Sequence, residues 1–275
     1  MSELKYSYDS VNFHKTFSPQ DSYLAKILEL AVNGYSGTKE DISAVTGIPT
    51  GKTSGKVIPH ILYAYYMGLI KYRLNKGIYS LNVTSLGRIV YDNDKYLFED
   101  ISKLICHYHI CEPHYGAYIW SFIYTHLPLM LDETISDETL KKKYNEYFDL
   151  NVDISPLKNT YSDGFLSVLN LLDFSEGLKI NSSYYRDNML YVYAYLLLTS
   201  WEKHFPNAQE ITFDQISNEL KWNKILGFDD EEMLFTLEQL ENEGIVQLNK
   251  QLVPYTAVRL TDSSDPMLKL YDLLN

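Results

Sequence analysis

The chain has 275 residues, a length that predicts two or three small domains. Its residues are 45% hydrophobic and 22% charged, a balance that excludes a disordered chain. Its formal net charge of −12 argues against a protein that coats nucleic acid indiscriminately. We predict a cytoplasmic protein without a membrane partner, for three reasons. The chain has only two cysteines, its N-terminus is unlike a signal peptide, and none of its apolar runs is long enough to cross a bilayer.

The charge is divided unevenly along the chain. Residues 1–90 hold ten Lys and Arg against six Asp and Glu, whereas the remainder holds 14 against 30. We therefore expect nucleic acid to contact the N-terminal region and protein partners to bind the acidic remainder.

The N-terminal region begins with a segment, residues 1–18, that the sequence predicts to be extended. Ser18-Pro19 then begins a helix whose apolar residues recur with helical spacing, and Asn33-Gly34 ends it. A short polar helix follows from Thr38 to Val45 and ends at the turn Gly47-Ile48-Pro49.

A second helical stretch ends at Met67-Gly68 and precedes a hairpin. Leu69 to Leu74 and Ile78 to Val83 are its predicted strands, and Asn75-Lys76-Gly77 is its turn. Three helices followed by a hairpin are the order of a winged helix-turn-helix, a nucleic-acid or partner-binding module. We assign this module to residues 1–92.

The start of the second helix decides how its basic residues are presented. If the helix begins near Ser54, Lys56 and His60 lie one turn apart on a face away from the core. If it begins at Pro59, the preceding segment is a loop at a helix N-terminus, where backbone N–H groups favour a phosphate.

The hairpin supplies the rest of the candidate surface. Lys71 and Arg73 alternate with apolar residues, so we expect both on its outward face, with Lys76 at the tip. The residues predicted to contact duplex DNA are Lys52, Thr53, Ser54, Lys56, His60, Lys71, Arg73 and Lys76. A docking or dimerisation module with solvated lysines is the alternative interpretation, and a homodimer is one possible assembly. A nucleotide-binding phosphate loop is disfavoured, because only three residues separate Gly47 from Gly51 and a helix precedes them.

Residues 93–187 are predicted to form an all-helical middle domain. It follows a short connector that begins at Thr84-Ser85-Leu86-Gly87. Two strongly apolar helices fall between Tyr96 and Pro128, and Ser-containing start signals near Ser136, Ser155 and Ser162 mark further helices.

Residues 188–275 repeat the order of a winged helix. The acids that begin its long helix suit the helix dipole but would repel phosphate, so this module is predicted to pack against the protein or bind a partner. Its predicted elements are a helix over Tyr191–Trp201, a short helix from Thr212, a long helix from Asp229 to Gly244, strands Ile245–Leu248 and Thr256–Leu260, and a last helix from Pro266.

Cysteine and histidine side chains are crowded between the two apolar helices, at Cys106, His107, His109, Cys111 and His114. Zinc sites are typically built from two separated ligand pairs that converge, and no second pair occurs downstream. We therefore favour a structural role and predict no metal site, while the pattern alone leaves metal binding open.

Catalytic patterns are weak. The chain lacks a nucleophile elbow and paired catalytic carboxylates in a Gly-rich turn. We therefore predict a protein that is not an enzyme and has no cofactor, and we disfavour an enzyme acting on sulfur or nucleotides.

Several short motifs occur along the chain. They are Phe13, His14, Phe17, Leu24 and Lys26, then Val83 to Gly87, Tyr96 to Asp100, His107, Tyr108 and Trp120. Taken together, they resemble the bacterial domain-of-unknown-function family numbered four thousand and seven. The chain departs from the family pattern at Lys15, Gln20 and Tyr23.

The resemblance implies an accessory protein encoded in bacterial DNA-modification or phage-defence gene clusters, often beside phosphoadenosine-phosphosulfate-reductase-like proteins. It also implies that Phe13, His14, Phe17, His107 and Tyr108 have architectural roles. We expect a mostly α protein with small β-hairpin wings, in which two winged helix-turn-helix modules bracket a helical middle domain. Its expected function is non-enzymatic DNA binding in such a system, with a protein-interaction scaffold that makes no DNA contact as the alternative.

Overall fold

The computed structural model describes residues 6–51 and 55–274. This part of the chain is built mainly from helices, with three small antiparallel sheets of three strands each. None of the helices in these two ranges is both long and apolar enough to span a membrane.

The N-terminal elements confirm the predicted order of helices and hairpin. Thr38 caps one helix through a capping box with Asp41, and Gly47 ends it with a φ of 70°. The elements are α1 (Tyr8–Val11), α2 (Asp21–Val32), β1 (Ser36–Gly37), α3 (Lys39–Thr46), α4 (Val57–Tyr66), β2 (Ile70–Asn75), β3 (Ile78–Val83) and α5 (Ser85–Asn93).

Two N-terminal predictions are wrong. The segment predicted to be extended contains α1, which Ser7 caps by accepting a hydrogen bond from the backbone N–H of Ser10. The predicted connector is helix α5, capped by Thr84. Its Gly87 packs so closely on the residue before β2 that an added Cβ would lie 1.9 Å from the carbonyl oxygen of Leu69.

The sequence predicted an all-helical middle domain, but this part of the chain also contains three short strands. Its strands contain two or three residues each, too few to show the alternation by which strands are recognised. The elements are α6 (Asp100–Cys111), α7 (Tyr118–Thr125), β4 (Thr134–Ile135), α8 (Asp137–Phe148), α9 (Ser155–Ser162), β5 (Leu172–Asp173) and β6 (Leu178–Ile180).

The C-terminal elements follow the predicted order. Asp229 caps the long helix by accepting a hydrogen bond from the N–H of Glu232 at 2.8 Å, and the three acids that follow lie in the first turn, where the helix dipole favours negative charge. The elements are α10 (Leu190–His204), β7 (Glu210–Thr212), a π-helical turn (Gln215–Glu219), α11 (Trp222–Ile225), α12 (Asp230–Asn242), β8 (Val246–Asn249), β9 (Thr256–Arg259) and α13 (Ser264–Leu268).

The three sheets share one topology, with strand orders β1-β3-β2, β4-β6-β5 and β7-β9-β8. In each sheet the first strand is separated from a hairpin by helical segments, and the second hairpin strand lies at the centre. Helix α6 packs against α4, α7 and α10, and all of its residues from Leu104 to Cys111 are buried. It therefore connects the N-terminal, middle and C-terminal elements around one core.

Candidate nucleic-acid interface

The β2–β3 hairpin carries two cations on one exposed face. Lys71 lies opposite Asn82 and Arg73 opposite Ser80, and residues paired directly across antiparallel strands share a face. Both cations are exposed, whereas Leu81, which points to the other face, is fully buried. The predicted outward face of the hairpin is therefore confirmed.

Lys76 lies at the exposed tip of this hairpin. Lys76 and Gly77 have φ angles of 48° and 82°, as a two-residue turn between twisted strands requires. No carboxylate in the described part of the chain forms an ion pair with Lys71, Arg73 or Lys76. These three residues therefore keep their charge available to an external anion.

The basic residues of the N-terminal region are concentrated in a stretch without acids, which the charge count over residues 1–90 does not reveal. Residues 42–91 contain six Lys and Arg and no Asp or Glu, in a chain with 36 acids. Helices α4 and α5 and the hairpin all lie within this acid-free range. A ligand with negative charge would meet no carboxylate from this range.

Lys56 immediately precedes α4 and is half-buried. Its ammonium nitrogen lies 5.6 Å from the ring centroid of Phe17 and 5.4 Å from that of Tyr23. These cation–π contacts hold the side chain against the N-terminal segment. The neighbouring candidates Lys52, Thr53 and Ser54 lie outside the described residues.

His60 belongs to the core and not to the candidate surface. Its Nδ1 lies 2.7 Å from the carbonyl oxygen of Lys56, and its Nε2 accepts a hydrogen bond of 3.2 Å from the backbone N–H of Gln20. Burial lowers its pKa to about 4, so the ring is neutral at pH 7. A fully buried ring with both nitrogens bonded inside the protein is inaccessible to DNA, and this removes His60 from the candidates.

Helix α4 as a whole presents little polar surface. It begins at Val57, between the two starts that the sequence allowed, and Tyr65 is its one exposed residue. The side chains that would face a DNA groove are instead packed against α2 and α6. The residues of α4 that are buried are Val57, Pro59, His60, Ile61, Tyr63 and Ala64.

The N-terminal family motif is buried against α4 and α7. The Phe13 ring packs edge-on against Tyr63, with centroids 4.9 Å apart, and lies 5.9 Å from Trp120. The carbonyl oxygen of Phe17 accepts a 2.8 Å hydrogen bond from the hydroxyl of Tyr63. His14 is fully buried beside them, and burial lowers its pKa to about 4.

His107 and Tyr108 connect α6 to three other helices. His107 Nδ1 lies 2.8 Å from the hydroxyl of Tyr161 in α9, and Nε2 lies 3.0 Å from the carbonyl oxygen of Ile225 in α11. Since that carbonyl can only accept, Nε2 carries the proton and Nδ1 accepts from Tyr161. The Tyr108 hydroxyl lies 3.0 Å from Ser200 Oγ in α10.

Within the described part of the chain, the crowded cysteines and histidines do not form a metal-binding cluster, although Cys111 Sγ lies 3.8 Å from His107 Nδ1. Burial raises the pKa of the Cys106 and Cys111 thiols well above the usual range, while His114 is exposed. Across residues 6–51 and 55–274, no three His, Cys, Asp or Glu side chains converge in a way that could hold a metal ion.

Sequence reasoning missed a buried carboxylate, Glu112, at the end of α6. It accepts hydrogen bonds from Ser200 Oγ at 2.8 Å and Lys203 Nζ at 2.5 Å, and its Oε2 lies 3.4 Å from His109 Nδ1. Burial raises the pKa of Glu112, but the hydrogen bond from His109 and the charge of Lys203 outweigh it and hold the pKa at about 2. The spacing of His109 and Glu112 was visible in the sequence, whereas their partners on α10 were not.

Comparison with known proteins gives a family and a fold. The model of the family described as "Protein of unknown function (DUF4007)" matches residues 12–252. No curated protein matches the sequence. A magnesium ion-bound crystal structure of SspB aligns with 97% of this chain and 89% of its own, at 16% identity and a TM-score of 0.74. A second SspB crystal structure aligns with 98% and 90%, at 16% identity and a TM-score of 0.73. Likeness at this identity concerns the fold alone.

Proposed function

The chain belongs to the DUF4007 family, and from that premise we propose that it is a non-enzymatic, cytoplasmic DNA-binding accessory protein. In this proposal the β2–β3 hairpin contacts the phosphates of duplex DNA, and the acidic remainder binds protein partners. In this proposal it acts in a bacterial DNA-modification or phage-defence system, as the resemblance of its motifs implies.

The exposed, unpaired cations of the hairpin carry the proposal. Lys71 and Arg73 are two residues apart on one strand, which separates them by about 7 Å along the outer face. Lys76 extends the positive charge to the tip. Phosphate contacts of this kind release counterions from DNA and supply most of the affinity of sequence-independent binding.

The order of elements supports a winged-helix interpretation of residues 1–92, with the hairpin as the wing. Because α4 is buried, the proposed contact is made by the wing and does not read base edges in the major groove. The contact is therefore largely independent of sequence. Residues 188–275 follow the same order, but acids open α12, and we assign that module to protein partners.

A magnesium ion is present in one of the SspB structures. Magnesium is bound mainly by oxygen ligands. In the described part of this chain no three His, Cys, Asp or Glu side chains converge to hold a metal ion, and the proposal assigns no metal chemistry.

The test is a duplex gel shift at low salt with a charge-neutral triple variant, Lys71→Gln with Arg73→Gln and Lys76→Gln. A matched control replaces three consecutive lysines of α8, Lys141, Lys142 and Lys143, by glutamine. We expect the hairpin variant to need much more protein than wild type to shift the duplex, and the control to shift it like wild type, with circular dichroism unchanged in both. Wild-type protein that fails to shift duplex DNA even at low salt contradicts the proposal.

An adaptor without DNA contact is the second candidate function. Tyr96 and Phe98 are 56% and 65% exposed, and their rings stack with centroids 5.9 Å apart. An exposed aromatic pair suits a protein interface. This candidate gains support if wild-type protein binds no duplex while Tyr96→Ala with Phe98→Ala abolishes copurification of a partner from the same gene cluster.

A further inference from the structure

A second candidate site is a cleft built from elements other than the hairpin. It has a volume of about 550 Å³, within the usual range of small-molecule sites. The segment between α6 and α7, the ends of α7, α8 and α10, and the residues before α11 contribute its walls. Its lining includes three histidines, His114, His126 and His204, together with Lys221.

Two of these histidines have no hydrogen-bond partner within the described residues. The rings of His114 and His204 lie 5.7 Å apart between centroids, and Nε2 of His204 is shielded from solvent without a partner. Burial lowers the pKa of His204. A buried ring nitrogen without a partner is unfavourable, and a hydrogen-bonding ligand in the cleft would relieve it.

Lys221 adds a half-buried ammonium group that no carboxylate pairs with in the described ranges. Burial and the charge of Lys224 lower its pKa. Lys221 and His114 both have left-handed backbone conformations, with φ angles of 57° and 65°. Such conformations are uncommon for these residues and concentrate at ligand sites.

Tyrosine side chains also line the cleft. The hydroxyl of Tyr147 lies 2.7 Å from His126 Nε2 and 3.2 Å from the hydroxyl of Tyr6, while Tyr118 and Tyr147 are each 39% exposed. Exposed phenol rings are suitable for stacking against a nucleobase.

The side chains that line the cleft indicate which class of ligand it could bind. Among the described residues, Glu219 is the one carboxylate that lines the cleft, and no three acidic, cysteine or histidine side chains there converge to hold a metal ion. Hydrogen-bond donors next to aromatic rings match a ligand with an anionic end and a flat end. We propose that this cleft binds a nucleoside phosphomonoester, with Lys221, His114 and His204 around the phosphate and the tyrosines beside the base. A free mononucleotide and the phosphorylated end of a strand share this chemistry.

Isothermal titration calorimetry with dAMP tests the proposal, with adenosine as the ligand that lacks phosphate. We expect dAMP to bind and Lys221→Gln and His204→Gln each to weaken it roughly tenfold or more, as loss of a charge-assisted contact does. Lys142→Gln, which removes an exposed charge from α8, is the matched control and should bind dAMP like wild type. Thermal melts confirm that each variant folds.

A 5′-phosphorylated tetranucleotide distinguishes the two sources of the ligand. Tighter binding of the tetranucleotide than of dAMP supports a strand end, and binding of dAMP alone supports a free nucleotide. The proposal is overturned if neither probe binds, if adenosine binds as well as dAMP, or if both variants bind like wild type. The site is independent of the hairpin, so Lys71→Gln with Arg73→Gln should leave dAMP binding unchanged, and either function can fail without the other.

Discussion

Acid should destabilise this protein well above the pKa of its carboxylates, because three buried histidines are neutral. Burial lowers the pKa of His14, His60 and His107 from 6.5 to about 4 in each case. Between these values the unfolded chain binds protons that the folded chain does not. Stability is therefore complete above pH 6.5 and falls as the pH drops toward 4. At pH 5 each ring removes about 2 kcal/mol, or about 6 kcal/mol together, comparable with the whole stability of many domains.

Urea unfolding followed by circular dichroism at pH 7 and pH 5 measures this loss. Near pH 5.3 the free energy of unfolding should change by roughly 4 kcal/mol per pH unit, the slope for three protons. His107→Gln should lower stability at pH 7 through lost hydrogen bonds, but it should also reduce the pH slope by about a third. Equal urea midpoints at pH 7 and pH 5 would refute the reasoning.

Three substitutions test local features of the fold. Gly87→Ala should lower the melting temperature strongly or prevent folding, because its Cβ would clash with the carbonyl oxygen of Leu69, and a melt like that of wild type counts against this close approach. Glu112→Gln should reduce the free energy of unfolding at pH 7 by about 2–4 kcal/mol, measured in urea, because it removes the buried carboxylate that pairs with Lys203. Asp229→Ala should reduce it by about 1 kcal/mol through loss of the helix cap, whereas Asp230→Ala should have a smaller effect.

The two faces of the hairpin could be predicted from the sequence because the alternation of side chains depends only on neighbouring residues of the strand. Side chains of a strand alternate between faces, so Lys71 and Arg73 had to point the same way once the strand was recognised. The helix starts near Thr38 and Asp229 were likewise predicted, since the residues that begin a helix bond to that helix itself. The middle sheet escaped because strands as short as Thr134–Ile135 contain no complete alternation.

The features that the sequence did not predict depend on contacts between residues that are distant along the chain. His60 lay one turn from Lys56 as expected, but the backbone of Gln20 occupies its second nitrogen and buries it. The cleft around His204 and Lys221 combines residues that are distant along the chain, and no local pattern predicts that they meet.

The salt dependence of duplex binding tests the proposed hairpin contact most directly. The logarithm of the association constant falls with the logarithm of salt concentration by about 0.9 for each phosphate contacted. Fluorescence anisotropy from about 50 to 200 mM salt should therefore give a slope shallower by about 2.7 for Lys71→Gln with Arg73→Gln and Lys76→Gln than for wild type. The matched α8 variant should keep the wild-type slope. Equal slopes for wild type and the hairpin variant would contradict phosphate contact by the hairpin.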